Sequence, residues 1–261
     1  MLTDTITSRH NPRIKHACAV RDAEKQRAAD GVFFAEGPKL CLELAKGCRL
    51  RALFATEAAL GRTPALAAFA DRTTPVAPHV AEKLAGTSSS QDVFALFETP
   101  STDPAPLLAE ARRLLALEGV QDPGNVGTLL RSAAAFGFDG VILSEGCAAP
   151  YAPKTLRASM GAAVQLPVIE AGAMPPVIGE LRRKGIECLA AALYRSQPLG
   201  DAKAGPGGVC VVIGSEGQGL TEATIAACDR TVRIPMTGRV ESLNAGIAGS
   251  ILLWHFRGAG L

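Results

Sequence analysis

The sequence predicts an α/β protein in two parts: a C-terminal parallel sheet clothed by helices, preceded by a smaller α/β domain. Three observations predict it. Short apolar runs alternate with helix-length segments along most of the 261 residues, the pattern of parallel strands joined by crossover helices. The stretch Thr99-Pro100-Ser101-Thr102-Asp103-Pro104-Ala105-Pro106 carries three prolines among small polar residues and reads as a linker. Three polar or glycine-rich loops each follow an apolar strand, where open α/β sheets collect their ligands.

In the first part, 32–35 reads as a strand. A helix over 38–46 follows, with Pro38 in its first turn and Gly47 at its end. Strands at 50–55 and 93–97 flank a helix at 80–85. In the second part, strands are expected at 113–117, 141–144, 165–169, 186–191, 209–213 and 231–234. Helices fit at 126–136, 153–160, 175–184 and 221–228, with a last one at 242–256. The division is therefore a domain at 1–100, a linker at 101–110 and a domain at 111–261.

Composition narrows the function. Hydrophobic residues make up 48% and charged residues 20%, which excludes a disordered or fibrous chain. No run approaches the ~18 apolar residues of a membrane span. The most apolar stretch, 247–256, contains Gly249, Ser250 and His255 and reads as a buried helix. The net charge of +2 excludes binding of nucleic acid by bulk charge but not by a local patch. Residues 1–51 hold ten Lys and Arg against six Asp and Glu, a local excess of positive charge. The seven cysteines form no Cys-x-x-Cys pair and have no histidine cluster beside them, so no metal is expected and reduced core thiols are the simpler reading. With no apolar signal core at the N-terminus, a cytoplasmic location is expected.

The first loop is Gln121-Asp122-Pro123-Gly124-Asn125-Val126-Gly127-Thr128-Leu129-Leu130-Arg131. At 100° per residue Val126, Leu129, Leu130 and Ala133 share the buried face, which leaves Arg131 pointing outward. Asn125 stands where an N-cap belongs. By itself this segment is equally a capped helix with a solvated arginine. The second loop, Gly214-Ser215-Glu216-Gly217-Gln218-Gly219-Leu220, has three glycines that permit a sharp bend and a close approach to a ligand. Its spacing is neither the dinucleotide fingerprint nor a P-loop, and Glu216 opposes a polyphosphate. A tight strand-to-helix turn with Thr221 as cap is the structural alternative. The third loop runs from Ile234-Pro235-Met236 through Gly238 to Ser242-Leu243-Asn244. Ser242 is the expected cap of the last helix. The small residues Ala245, Gly246, Ala248, Gly249 and Ser250 let another backbone or a flat ligand come close.

Together the three segments resemble the three motifs of the SpoU (TrmH-type) RNA 2′-O-ribose methyltransferases of the SPOUT superfamily. Asn125-Val126-Gly127 to Arg131 is similar to the first motif, 212–220 to the second, and Ile234-Pro235-Met236 with Ser242-Leu243-Asn244 to the third. The likeness spans about 113–257. The N-terminal part is similar to the substrate-binding domain of such enzymes through Ile6-Thr7-Ser8, Asn11-Pro12, Ile14-Lys15, Lys25, Arg27 and Phe33-Phe34-Ala35-Glu36-Gly37. The resemblance implies a ribosomal-protein-like α/β domain that grips RNA, followed by a parallel sheet with a deep trefoil knot. It implies S-adenosylmethionine as cofactor, contacted by Gly214, Ile234 and Leu243, with Ala191 and Met236 beside them. It implies a reaction centre of Asn125, Arg131, Glu216, Ser242 and Asn244, and a homodimer formed through the C-terminal domain.

The residue types suit that chemistry. Methyl transfer from a sulfonium is an in-line displacement, so positioning is a large part of the task. The family assigns the base role to the arginine, yet guanidinium pKa values lie above ~12. Arg131 is better read as a donor fork for a phosphate and for the developing alkoxide. Arg9, Arg13, Lys15, Lys25 and Arg27 are the candidate RNA phosphate contacts. The expected activity is methylation of a ribose 2′-hydroxyl in structured RNA, ribosomal RNA before transfer RNA. The alternative from another class is a non-catalytic RNA-binding module on the same scaffold. A nicotinamide-type oxidoreductase fails on the glycine spacing.

Overall fold

The computed structural model describes residues 4–101 and 103–258. They form two compact units, 4–101 with 151–164 and 103–150 with 165–258.

The first unit opens with helices α1 (Pro12–Asp22) and α2 (Glu24–Asp30), neither of which the sequence pattern foretold. Asn11 caps α1 by accepting from the Arg13 amide at 2.9 Å, and Pro12 occupies the first turn, where a missing N–H costs nothing. Strand β1 (Val32–Glu36), helix α3 (Pro38–Leu44), strand β2 (Leu50–Ala55) and helix α4 (Glu57–Arg62) follow. A 3-10 segment (Pro64–Arg72) leads to β3 (Thr73–Pro75), α5 (Pro78–Leu84) and β4 (Val93–Glu98). The sheet order is β1-β4-β2-β3. Only β2 and β3 are parallel, because β4 runs antiparallel to both β1 and β2. The expectation of a mostly parallel sheet thus fails in this unit: apolar runs mark strands but carry no direction. Phe34, Phe54 and Phe94 are buried under α1 and α5 with Ile14, Val80 and Leu84, each such side chain contributing roughly 1.5–3 kcal/mol of burial.

The second unit begins with α6 (Pro104–Glu110), inside the stretch read as linker at 101–110. That reading is corrected: Asp103 accepts from the Ala105 amide at 3.0 Å, Pro104 sits in the first turn and Leu108 is buried. The prolines lie where a helix tolerates them. Strand β5 (Arg113–Glu118), helix α7 (Pro123–Ala135) and strand β6 (Gly140–Leu143) come next. Helix α8 (Pro153–Ser159) belongs to the excursion 151–164, which packs with the first unit, where Tyr151 stacks on Phe33 with centroids 5.4 Å apart. The chain returns with β7 (Val168–Glu170), α9 (Met174–Arg183), β8 (Glu187–Ala191), β9 (Gln197–Pro198), β10 (Val209–Gly214), α10 (Glu222–Ala227), β11 (Arg230–Arg233) and α11 (Ala245–His255).

All seven strands of this sheet are parallel, in the order β7-β6-β5-β10-β8-β11-β9. One face, with Leu114, Ala116, Ile142, Cys188, Cys210 and Val212, packs on Met174, Ile178 and Leu181 of α9. Alternate residues such as Leu115, Leu117, Val211 and Ile213 are equally buried and face the opposite side, where α7 and α11 lie together. The small residues of α11 permit that approach. A Cβ at Gly249 would stand 2.2 Å from the Leu129 side chain and 2.6 Å from Ile213, and Ser250 hydrogen-bonds Ser132 at 2.8 Å.

Candidate active site

Strand order reverses between β5 and β10. From β5 the sheet extends through β6 to β7, and from β10 through β8 to β11 and β9. Loops leaving such a switch point at the carboxyl ends diverge and open a crevice. In register, Gly214 lies opposite Glu118, so the first two motif loops start side by side.

The first loop turns at Gly119 (φ +63°) and enters α7 through Asp122 and Pro123. Asp122, not Asn125, is the N-cap: its carboxylate accepts from the Asn125 amide at 2.9 Å. This corrects the capping role given to Asn125, and the signal was present in Asp122-Pro123, an acidic cap followed by proline at the first helical position. The shift frees the Asn125 side chain. Its Nδ2 donates to Glu216 Oε1 at 2.5 Å, and its Oδ1 accepts from Asn244 Nδ2 at 3.0 Å. One residue from each loop therefore joins a continuous chain, Asn244 to Asn125 to Glu216.

The second loop folds on itself. Ser215 and Gly219 exchange backbone hydrogen bonds at 3.2 and 3.0 Å. A Cβ on Gly214 would stand 2.1 Å from the Gly219 carbonyl carbon, so glycine is obligatory there. Thr221 caps α10 as expected, accepting from the Thr224 amide. In the third loop the cap of α11 is Asn244, whose Oδ1 accepts from the Ile247 amide at 3.2 Å. That corrects the capping role given to Ser242. Ser242 is exposed and makes no side-chain hydrogen bond among the described residues. Arg131, in the third turn of α7, is likewise exposed and has no side-chain partner there. Ile234, Met236 and Leu243 are half-buried, as are Gly214 and Ala191; Ala191 pairs with Val232 across the β8–β11 ladder.

The structure thus brings Asn125, Glu216 and Asn244 together and leaves Arg131 and Ser242 outside their hydrogen-bond chain. Cys147 lies near the first loop, with its Sγ 3.3 Å from the Leu117 carbonyl, but burial raises its thiol pKa, the hydrogen bonds around it opposing only in part. Its burial therefore disfavours the thiolate form. Among the described residues no cluster of His, Cys, Asp and Glu is placed to hold a metal ion.

In the first unit, the five basic residues singled out in the sequence divide. Arg9 is paired with Glu82 at 2.7 Å and donates to the His79 carbonyl. Arg27 donates to the Val20 and Arg21 carbonyls at the end of α1. Arg13 lies over the Phe54 ring, 5.4 Å from its centroid. Lys15 and Lys25 are exposed.

Comparison with known proteins agrees with this geometry. Residues 112–254 match the SpoU rRNA Methylase family, and residues 11–95 match an MRM3-like substrate binding domain. The 23S rRNA (guanosine(2553)-2'-O)-methyltransferase RlmP of Bacillus subtilis is 34% identical over 172 residues, covering 66% of this chain and 67% of that one. An uncharacterized tRNA/rRNA methyltransferase of Synechocystis is 33% identical over 263 residues, covering 97% and 93%. Among solved structures, an AdoMet-bound rRNA methyltransferase from Sinorhizobium meliloti superposes with a TM-score of 0.85 at 26% identity, covering 97% of this chain and 96% of that one. The SpoU methyltransferase AviRb of Streptomyces viridochromogenes, in complex with AdoMet, gives 0.84 at 26% identity over 94% and 97%. A seven-stranded parallel sheet with three polar loops joined at its switch point, set beside these matches, defines the class as RNA methyltransferase. The chain belongs to the SpoU rRNA methylase family.

Proposed function

We propose that the chain transfers a methyl group from S-adenosylmethionine to a ribose 2′-hydroxyl of structured ribosomal RNA. The observation that carries the reading is the hydrogen-bonded chain Asn244–Asn125–Glu216, which ties three loops distant in sequence into one constellation. The residues around it fit the cofactor. Half-buried Ile234, Met236 and Leu243 offer apolar surface for a purine, the tight turn at Gly214 leaves backbone groups accessible, and Glu216 is the carboxylate of the Asn244–Asn125–Glu216 trio. When bound, S-adenosylmethionine supplies an electrophilic methyl on a sulfonium.

This chain's residues then have separate tasks. Asn125 and Asn244 hold Glu216 in one orientation, and Glu216 with Ser242 orients the acceptor ribose. Arg131, without a side-chain partner among the described residues, binds the neighbouring phosphate and stabilises the alkoxide that forms as the hydroxyl loses its proton. The 2′-hydroxyl also distinguishes RNA from DNA. The first unit acts as the RNA-gripping domain, with Arg13, Lys15 and Lys25 as phosphate contacts. Arg9 and Arg27 are already held by protein groups and contribute less.

Two features of the architecture belong to the same reading. A trefoil knot is supported by Val232, which pairs with Ala191 on one side and Gln197 on the other. The late strand β11 is thus embraced by an earlier loop, whose carbonyls at Arg195 and Ser196 accept from Thr231 and Arg233. A homodimer is supported by Ile247, Ile251 and Trp254, which line one exposed face of α11 at 54%, 37% and 53% exposure. Mapping ribose methylation across total RNA from cells with and without the protein tests the activity. A single ribosomal site lost with the gene supports it; an unchanged ribosomal profile with a transfer-RNA site lost redirects the substrate.

A further inference from the structure

We propose that Glu118 is a positioning residue that sets cofactor affinity by fastening the glycine-rich loop at its exit. The inference rests on the reading of 214–220 as part of the cofactor site. The loop begins at Gly214, opposite Glu118 in the β5–β10 ladder. It ends at Thr221, the cap of α10. There the Glu118 carboxylate accepts from the Thr221 amide at 2.9 Å, from the Thr221 hydroxyl at 3.1 Å and from the buried Thr224 hydroxyl. One residue of β5 therefore fixes the loop's exit and, through strand register, its entrance.

Elsewhere the stretch is held by Asn125 on Glu216 and by burial of Leu220. Within the loop itself, Ser215 and Gly219 exchange backbone bonds and the Gln218 amide donates to Ser215 Oγ at 3.3 Å. The six-residue helix α10 is too short to hold its own first turn. Hydrogen bonds to a carboxylate are among the stronger ones a fold makes, and Glu118 accepts three of them at the loop's exit. Both of its oxygens are occupied by these donors, which suits an anchor and not a proton acceptor. Glu118 makes no hydrogen bond to Asn125, Glu216 or Asn244, so its effect passes through the loop backbone. In the pattern of residues, Glu118 is marked only by its place as the last residue before the Gly119 turn.

Titration of the full chain with S-adenosylmethionine, joined to steady-state kinetics, tests this. Glu118→Ala should weaken cofactor binding and raise its KM about tenfold or more, with kcat at saturating cofactor reduced by no more than about threefold. Glu118→Gln should stay within about threefold of the parent, since the amide keeps an acceptor for the Thr221 N–H and donates to the two hydroxyls. Thr224→Val, which removes one bond and keeps the shape, should fall between them. Val80→Ala, buried in the core of the first unit, should lower thermal stability and leave cofactor affinity alone. Parent-like affinity in Glu118→Ala overturns the inference, as does a Glu118→Gln as impaired as Glu118→Ala. A parent protein that binds no S-adenosylmethionine refutes the cofactor reading itself, and that arm reports independently of the variants.

Discussion

Arg131 and Asn125 show how differently two neighbouring residues can be used. Asn125 is spent on protein partners, donating to Glu216 and accepting from Asn244, while Arg131 projects from the exposed side of α7. A side chain with no protein partner contributes little to stability and is available to substrate. Arg131→Ala should therefore abolish turnover, by about a hundredfold or more, and leave S-adenosylmethionine affinity within a few-fold by calorimetry. Near-normal turnover removes Arg131 from the mechanism. Thr155 is the opposite case. It is fully buried on α8 and its hydroxyl has no hydrogen-bond partner among the described residues. Such a group carries an uncompensated desolvation cost. Thr155→Val should raise stability by about 1 kcal/mol in denaturant melts, and a destabilised variant would point to a partner for the hydroxyl.

The helices illustrate what pattern reading reaches and where it stops. The outward placement of Arg131 on α7 and the close packing of small residues along α11 were legible, because both follow from 3.6-residue periodicity and side-chain volume. Helix starts were less so. Asn125 and Ser242 both have capping chemistry, yet Asp122 and Asn244 take those positions, since several polar residues compete within a few residues of each start. In both cases the true cap releases or recruits a site side chain, so the error was at the site itself. The helix α6 was hidden by its prolines, which reveal their tolerance only once their place in the first turn is known. Directionality of strands in the first unit was also beyond reach. Packing supplies a test of the α7–α11 seam. Gly249→Ala forces a methyl against Leu129 and Ile213, and overpacking of this kind costs about 1–3 kcal/mol. A parent-like melting midpoint would show that the seam has slack.

For the molecule as a whole, the proposed activity asks one unit to grip RNA and the other to carry the chemistry. If Arg13, Lys15 and Lys25 contact phosphates, the logarithm of RNA affinity should fall linearly with the logarithm of salt. Replacing the three by alanine should lower that slope by roughly two to three; an unaltered slope excludes them. If the α11 face joins two copies, Ile247→Glu should shift the mass in solution from two chains to one, read by light scattering. A parent mass of one chain contradicts the dimer outright. The parallel sheet and the three loops were readable because order, spacing and residue type all persist along the chain. The convergence of those loops was not, since it depends on β10 inserting beside β5, a pairing that local pattern does not encode. That convergence on a ribose acceptor is the central claim. It is tested most directly by incubating the protein with methyl-labelled S-adenosylmethionine and ribosomal RNA from cells lacking the gene, then hydrolysing the RNA in alkali. A 2′-O-methyl group blocks cleavage of its own phosphodiester, so the label should appear in alkali-resistant dinucleotides; label released in mononucleotides, or none transferred, would contradict the account.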